Sequence, residues 1–275
     1  MAKAYVETTV LTDALLKPGM RAAAARSAIK EFDESYLPVY SIKEMKAGPL
    51  RYYVWLHGKL ATTGSWEKTL TQLRRMASTP RSYWVRTAVE ALEAATHKER
   101  KTTLQDLVKK YGGAATDDET RCARYRYSLR SIIMRGWRQR RSVTSAVVQE
   151  LACYPETNIT EERGLIELGE TKCQPNDECC LAEALKENPE ALKALRKAVE
   201  AQPVKPENTK RAQTLRELIR LPKEKLTARQ CRQLGDAMFA FFCPHDAVIL
   251  TTNMRDLGPL AEALGKKTQA PRAAG

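Results

Sequence analysis

The side chains of this chain best suited to chemistry are carboxylates set among apolar neighbours. Asp236 lies in LGDAMFAFFC, where the residues three and four positions on, Phe239 and Ala240, are apolar. A carboxylate buried there must be answered by a cation, a set of donors or a metal ion, because an unpaired buried charge is strongly unfavourable. The plainest answer is Arg232, one helical turn earlier. Glu7 falls in AYVETTVL between Val6 and Thr8, where a strand entering a buried sheet carries an acid either to reach solvent or for a purpose. Glu44, in SIKEMKAG, suits a solvated helix face equally well. Asn253 and Asp256 follow an apolar strand, and Asp256 is placed to cap the next helix.

The elements that must position these residues alternate between strand and helix. Residues 4–11 read as a strand that runs out near Glu7, followed by a short helix stopping at Pro18. Residues 20–34 are alanine-rich and read as helix, 38–41 as a short extended piece, and IKEMKAGPLRYYVWLHGKL, residues 42–60, as helix again. From 66 to about 141 apolar residues recur at helical spacing, with breaks expected at Pro80 and at Gly112–Gly113. Residues 153–180 read as loop with one strand at 164–168. Charged helices follow at 181–201 and 207–221. Thr227 and Gln230 form a T-x-x-Q capping box that opens a helix to about Phe242. A short strand, AVILTTN, a helix over 257–264 and a frayed basic tail complete the chain.

These acids follow strand ends or sit on helices beside strands, and in an open α/β sheet ligands bind outside the carboxyl ends of the strands. At this point YVETTVLTDALL resembles the opening strand of PIN domains, and SIKEMKAG resembles that family's second motif, whose glutamate opens a helix. LGDAMFAFFCPHDAVILTTNMRDLGPLAEALG resembles its last third, with an acid in a small-residue helix and a strand ending in TTN-x-x-D. The resemblance covers residues 1–62 and 227–266. It implies an α/β fold with a three-layer PIN-like core around a central parallel sheet, interrupted by a mostly helical, basic insertion over 63–226, with 267–275 as a flexible basic tail.

The resemblance also implies an activity: metal-dependent endoribonuclease, cutting single-stranded or structured RNA with Mg2+ or Mn2+, as in toxin and defence nucleases. Glu7, Glu44, Asp236 and Asp256 would then be metal ligands, with Asn253 also at the catalytic centre. Hard divalent cations want oxygen ligands, and like-charged carboxylates crowd together only around a cation. The sequence departs from the family where Glu7 replaces the usual aspartate and Asn253 stands where many members carry an acid. A catalytically weakened module that binds nucleic acid or serves as a scaffold is the competing reading.

One further segment stands out. RCARYRYSLRSIIMRGWRQRR carries Arg121, Arg124, Arg126, Arg130, Arg135, Arg138, Arg140 and Arg141 without one acid, interleaved with Tyr125, Tyr127 and Trp137. Guanidinium groups pair with phosphate, and unstacked bases lie on aromatic rings, so this segment is the expected RNA or DNA contact. An acidic protein inhibitor or antitoxin is the alternative partner. On a helix, Arg126, Arg130 and Arg138 would share a face while Leu129, Ile132 and Ile133 meet a core. Tyr52, Tyr53 and Trp55 are expected to pack the join between insertion and core, and His57 to be structural.

Composition supports a polyanion partner, since 46 Lys and Arg against 33 Asp and Glu leave a net charge of +13 over 275 residues. No apolar stretch approaches the roughly 20 residues that span a bilayer, and Glu7 and Asp13 interrupt the region where a signal peptide would need an apolar run. A cytoplasmic location is expected. Cys153, Cys173, Cys179 and Cys180 read as thiols, because two adjacent ligands suit a tetrahedral zinc site poorly.

Overall fold

The computed structural model describes residues 1–77, 117–151, 154, 156–170, 179–223 and 225–272. Its strands are β1 (Lys3–Val6), β2 (Glu34–Pro38), β3 (Ala146–Val148), β4 (Thr160–Glu162), β5 (Leu165–Glu167), β6 (Ala247–Leu250) and β7 (Lys267–Gln269). Five of them form one parallel sheet in the order β3-β2-β1-β6-β7. β4 and β5 make a separate antiparallel hairpin, turned at Arg163 and Gly164, both with positive φ.

The alternation of side chains along a strand divides the core in two. Tyr5 pairs in register with Ile249, and Val6 with Leu250. Val6, Leu37 and Leu250 join the apolar cluster under one face of the sheet, while Tyr5, Ala247 and Ile249 join the cluster under the other. The first face is covered by α1 (Thr8–Leu16), α2 (Gly19–Lys30), α4 (Arg51–Thr63), α5 (Trp66–Ala77) and α6 (Asp117–Gln139). The second is covered by α7 (Cys180–Glu187), α8 (Pro189–Glu200), α9 (Pro206–Arg220), α10 (Ala228–Leu234), α11 (Asp236–Phe242) and α12 (Met254–Glu262). α3 (Val39–Met45) and the π-helical turn Lys46–Leu50 lie between β2 and α4. The protein is therefore a three-layer α/β structure.

Residues 63–226 are woven into this core. They supply the edge strand β3, paired with β2, and the helix α6, whose Leu129 and Ile133 are fully buried. At Gly136, α6 passes so close to α1 that a Cβ would stand 2.8 Å from Leu16 Cδ2 and 3.4 Å from the Leu15 carbonyl oxygen. The same segment reaches α3, because both oxygens of Glu150 accept from its first backbone amides, Val39 N–H at 3.0 Å and Tyr40 N–H at 2.7 Å.

Several elements differ from expectation. The helix expected over 20–34 stops at Lys30, and β2 takes residues 34–38, so α3 starts at Val39 where an extended piece was expected. The helix over 181–201 is two, α7 and α8, because Pro189 lacks the N–H that continuity needs and Asn188 before it leaves the helical region. The capping box at Thr227 forms as expected, but its helix breaks at Gly235, whose φ of 45° places it in the left-handed half of backbone space. The supposed frayed tail is β7, an edge strand of the sheet. Lys266, just before it, is buried with its ammonium donating to the Ala240 and Phe241 carbonyls at 2.7 Å. The breaks expected at Pro80 and Gly112–Gly113 lie outside the described residues.

Glu150→Ala removes two charge-assisted bonds at the start of α3. The expected loss is about 1–2 kcal/mol, read as a melting temperature lower by roughly 2–8 °C. An unchanged melting temperature would mean that α3 is anchored without this cap.

Candidate functional site

The chain leaves β1 toward β2 on one side and returns to β6 on the other, so the connections after β1 and β6 diverge. The crevice this opens at the carboxyl ends of the strands is where α/β proteins bind ligands. Glu7 stands at its floor. Its backbone N–H donates to the Leu250 carbonyl at 3.0 Å, prolonging the β1–β6 ladder, and its side chain caps α1 by accepting from Thr9 N–H at 3.0 Å. The same oxygen, Oε2, accepts from the hydroxyls of Thr9 and, at 3.0 Å, of Thr251. Those hydroxyls in turn accept backbone amides, Thr252 N–H on Thr9 at 3.1 Å and Asn253 N–H on Thr251 at 2.9 Å. Glu7 thus ties together the two loops that form the crevice.

Glu44 comes from α3, which is tethered to β1 by the Ser41 hydroxyl donating to the Val6 carbonyl at 2.8 Å. Its carboxylate accepts from the Thr8 hydroxyl at 2.7 Å and from the Tyr40 hydroxyl. Asp236 opens α11 directly after Gly235, where a Cβ would meet Arg211 Nη2 at 3.2 Å. That guanidinium donates to Asp236 Oδ2 at 2.9 Å. Arg232, the partner suggested by sequence spacing, is exposed and bonds the Ala228 carbonyl. The pairing follows from the break at Gly235, which turns Asp236 away from its own preceding helix and toward α9.

The acids feel one another. Burial pushes the Glu7 carboxyl up to about 8, with further upward pressure from Glu44 and Asp236 partly opposed by the bonds from Thr9. Glu44 is pushed up to about 7, again by burial first and by Asp236, against the bonds from Thr8 and Tyr40. Glu7 is 3% exposed, whereas Glu44 keeps part of its surface open to solvent. Neither has a cation in salt-bridge contact among the described residues, and Oε1 of Glu7 accepts no hydrogen bond there. Asp256 is differently placed. It lies inside α12, not at its cap, and is bound by Lys205 at 2.8 Å. Asn253 is the residue before α12, and its side chain makes no cap bond.

Glu7, Glu44 and Asp236, nearly the whole chain apart in sequence, are therefore brought within electrostatic range of one another. Among the described residues, however, no three His, Cys, Asp or Glu side chains stand close enough to hold a metal ion as they are. The donor chemistry still fits a hard divalent cation, since Glu7 and Glu44 are oxygen donors that repel one another and have no cation in salt-bridge contact among the described residues, Lys43 acting on Glu44 only at longer range. Glu7, Glu44 and Asp236 are the residues that would hold it.

The arginine-rich helix is only partly the open surface expected of it. Arg126 donates to the Gly164 carbonyl at 2.7 Å, Arg130 pairs with both oxygens of Glu161 at 2.8 Å, and Arg140 and Arg141 share Glu156. The acids missing from the segment itself thus arrive from residues 156–161. Trp137 is 4% exposed beneath the Arg140 guanidinium, and Tyr125 stacks on Trp66 with ring centroids 4.5 Å apart, so both are packing residues and neither is a platform for bases. Arg124 is half-buried, whereas Arg121 is exposed. Arg135 and Arg138 are exposed, without an ion pair among the described residues, and line a shallow groove along α6 with Tyr127, Ser131 and Gln139. Tyr53 and His57 are buried, as expected for packing residues. Cys179 is a free thiol, and Cys153, Cys173 and the side chain of Cys180 lie outside the described residues. No described helix is long and apolar enough to cross a membrane.

What fold and site define is a three-layer α/β protein with a group of mutually repelling acids near the topological switch of its sheet. Compared with known proteins, the chain matches no family model, no characterised sequence and no solved structure. The residues that sequence reasoning missed are Arg211 and Lys205, whose partners lie on other helices and leave no local signal.

With folded values of about 8 and 7 against an ordinary 4.5, Glu7 and Glu44 favour the protonated folded protein. Their contribution to stability is complete below about pH 4.5 and lost as pH rises through 7 to 8. Without divalent ions, the melting temperature of the wild type should fall between pH 5 and 8.5 by on the order of 5 °C more than that of Glu7→Gln. Parallel pH profiles would show that Glu7 stays ionised throughout.

Proposed function

We propose that this protein is a metal-dependent ribonuclease of PIN-like type that hydrolyses phosphodiester bonds of RNA in the cytoplasm. The observation that carries the reading is the pair Glu7 and Glu44, two desolvated carboxylates at the sheet's switch point with no cation paired to either among the described residues. Glu7 also caps α1 and joins two loops, but neutral hydrogen-bonding residues would serve those contacts without placing two like-charged groups near each other. The strand order and the convergence of Asp236 on the same crevice support the same reading.

A divalent ion, Mg2+ or Mn2+, would supply Lewis acidity and an activated water for in-line displacement at phosphorus. The chain's own residues do the rest. Glu7 and Glu44 bind, with Asp236 as the third acid. Thr8, Thr9 and Thr251 fix the carboxylates by hydrogen bonds. Arg135 and Arg138 give the α6 groove two uncompensated guanidiniums suited to backbone phosphates. A second reading, a binding module without activity, is favoured by the Arg211 guanidinium on Asp236.

Cleavage of RNA should require Mn2+ or Mg2+, cease with chelator, and fall on the order of 100-fold or more in Asp236→Asn, a barrier increase of about 3 kcal/mol. Full cleavage in that variant, or with chelator present, would assign the chemistry elsewhere. RNA binding without cleavage under any metal would favour the inactive module.

Replacing Arg135 and Arg138 together by Ala should weaken RNA binding and lower the slope of its salt dependence by about 2, roughly one per lost phosphate contact. Binding that keeps its strength and salt slope would remove the groove from the RNA path and leave it to an acidic protein partner.

A further inference from the structure

The acids gathered by the nuclease reading are of two kinds. Glu7 and Glu44, from the first part of the chain, have no cation in contact among the described residues, and Glu7, 3% exposed, leaves Oε1 without a bond. Asp236 and Asp256, from the last part, are each answered by a cation, and both cations come from the head of α9. Arg211 reaches Asp236 at 2.9 Å and Lys205, the residue before the helix, reaches Asp256 at 2.8 Å. The segment is anchored there by Gln202 Nε2, which donates to the Asp256 carbonyl at 3.0 Å.

The two ion pairs differ in weight. Lys205 and Asp256 are each about a third exposed, at 33% and 31%, so solvent and salt weaken their attraction. Arg211 is 8% exposed, and its Nε and Nη1 are buried with no hydrogen-bond partner among the described residues. A guanidinium is normally buried where a fork of acceptors uses several of its five donors. Among the described residues its one acceptor is Asp236, so hydrogen bonding does not account for its place. Its charge does.

We infer that, on the nuclease reading, this site is built for one divalent cation, held first by Glu7 and Glu44, and that Arg211 stands in for a second. One dication would balance the two carboxylates that have no cation in contact among the described residues, and the guanidinium balances Asp236. Arg211 uses only Oδ2 of that aspartate, so Oδ1 is not taken by this bond. A second dication beside Asp236 would meet a buried like charge that cannot lose its proton. Arg211 is thus a positioning residue that sets how many ions the crevice takes.

Calorimetric titration of the full chain with Mn2+, without RNA, tests this. One ion per chain is expected for the wild type and for R211K, and two for R211Q, while E7Q and E44Q should bind at least tenfold more weakly. If R211Q does not fold, R211M takes its place, with two ions again expected. Two ions in the wild type, or one in a folded R211Q, would overturn the role given to Arg211 and leave the nuclease reading standing. No Mn2+ bound by the wild type would overturn both.

Discussion

The structure depends on one arrangement, a carboxylate held dry at the end of its central strand. Glu7 closes β1, caps α1 and gathers the Thr9 and Thr251 hydroxyls on one oxygen, which fixes the loops after β1 and β6 against each other. Dehydrating a carboxylate is unfavourable, and the presence of Glu44 and Asp236 nearby makes its ionisation harder still. Three hydrogen bonds offset part of that. They do not offset it fully, and the carboxyl stays well above its ordinary range, at about 8.

Everything else positions that group. Parallel pairing sets β1 between β2 and β6, so that Glu7 and Thr251 emerge side by side. Ser41 and Glu150 hold α3, and with it Glu44, against the strand ends. Glu150 belongs to the long middle segment, as do β3 and α6. That segment contributes to all three layers of the fold and supports the site, with α6 carrying its exposed arginines on the face turned from Leu129 and Ile133. The head of α9 lies against the last third of the chain and supplies the cations for Asp236 and Asp256.

The legible parts of this structure were those with a local cause. The T-x-x-Q box at Thr227 and the apolar run of β6 depend on neighbours within a few residues, and both could be read directly. The α/β class and the acids Glu7, Glu44 and Asp236 were also visible as candidates. β7 was not, because Lys-Thr-Gln has no apolar pattern and is a strand only through its pairing with β6. The break at Gly235 was hidden because a glycine inside a helical pattern is usually tolerated, and only the φ it adopts shows otherwise. Arg211, 25 positions before Asp236, and the acids that pair with the α6 arginines depend on tertiary placement, which spacing along the chain does not encode.

The nuclease proposed above requires a divalent ion on Glu7 and Glu44. Crystals grown with Mn2+ and measured for anomalous scattering test it most directly. A single anomalous peak is expected beyond the carboxyl ends of β1 and β6, within about 2.0–2.6 Å of a carboxylate oxygen from each of the two glutamates. A clean map there, with Mn2+ in excess and both side chains left as they are in its absence, would contradict it.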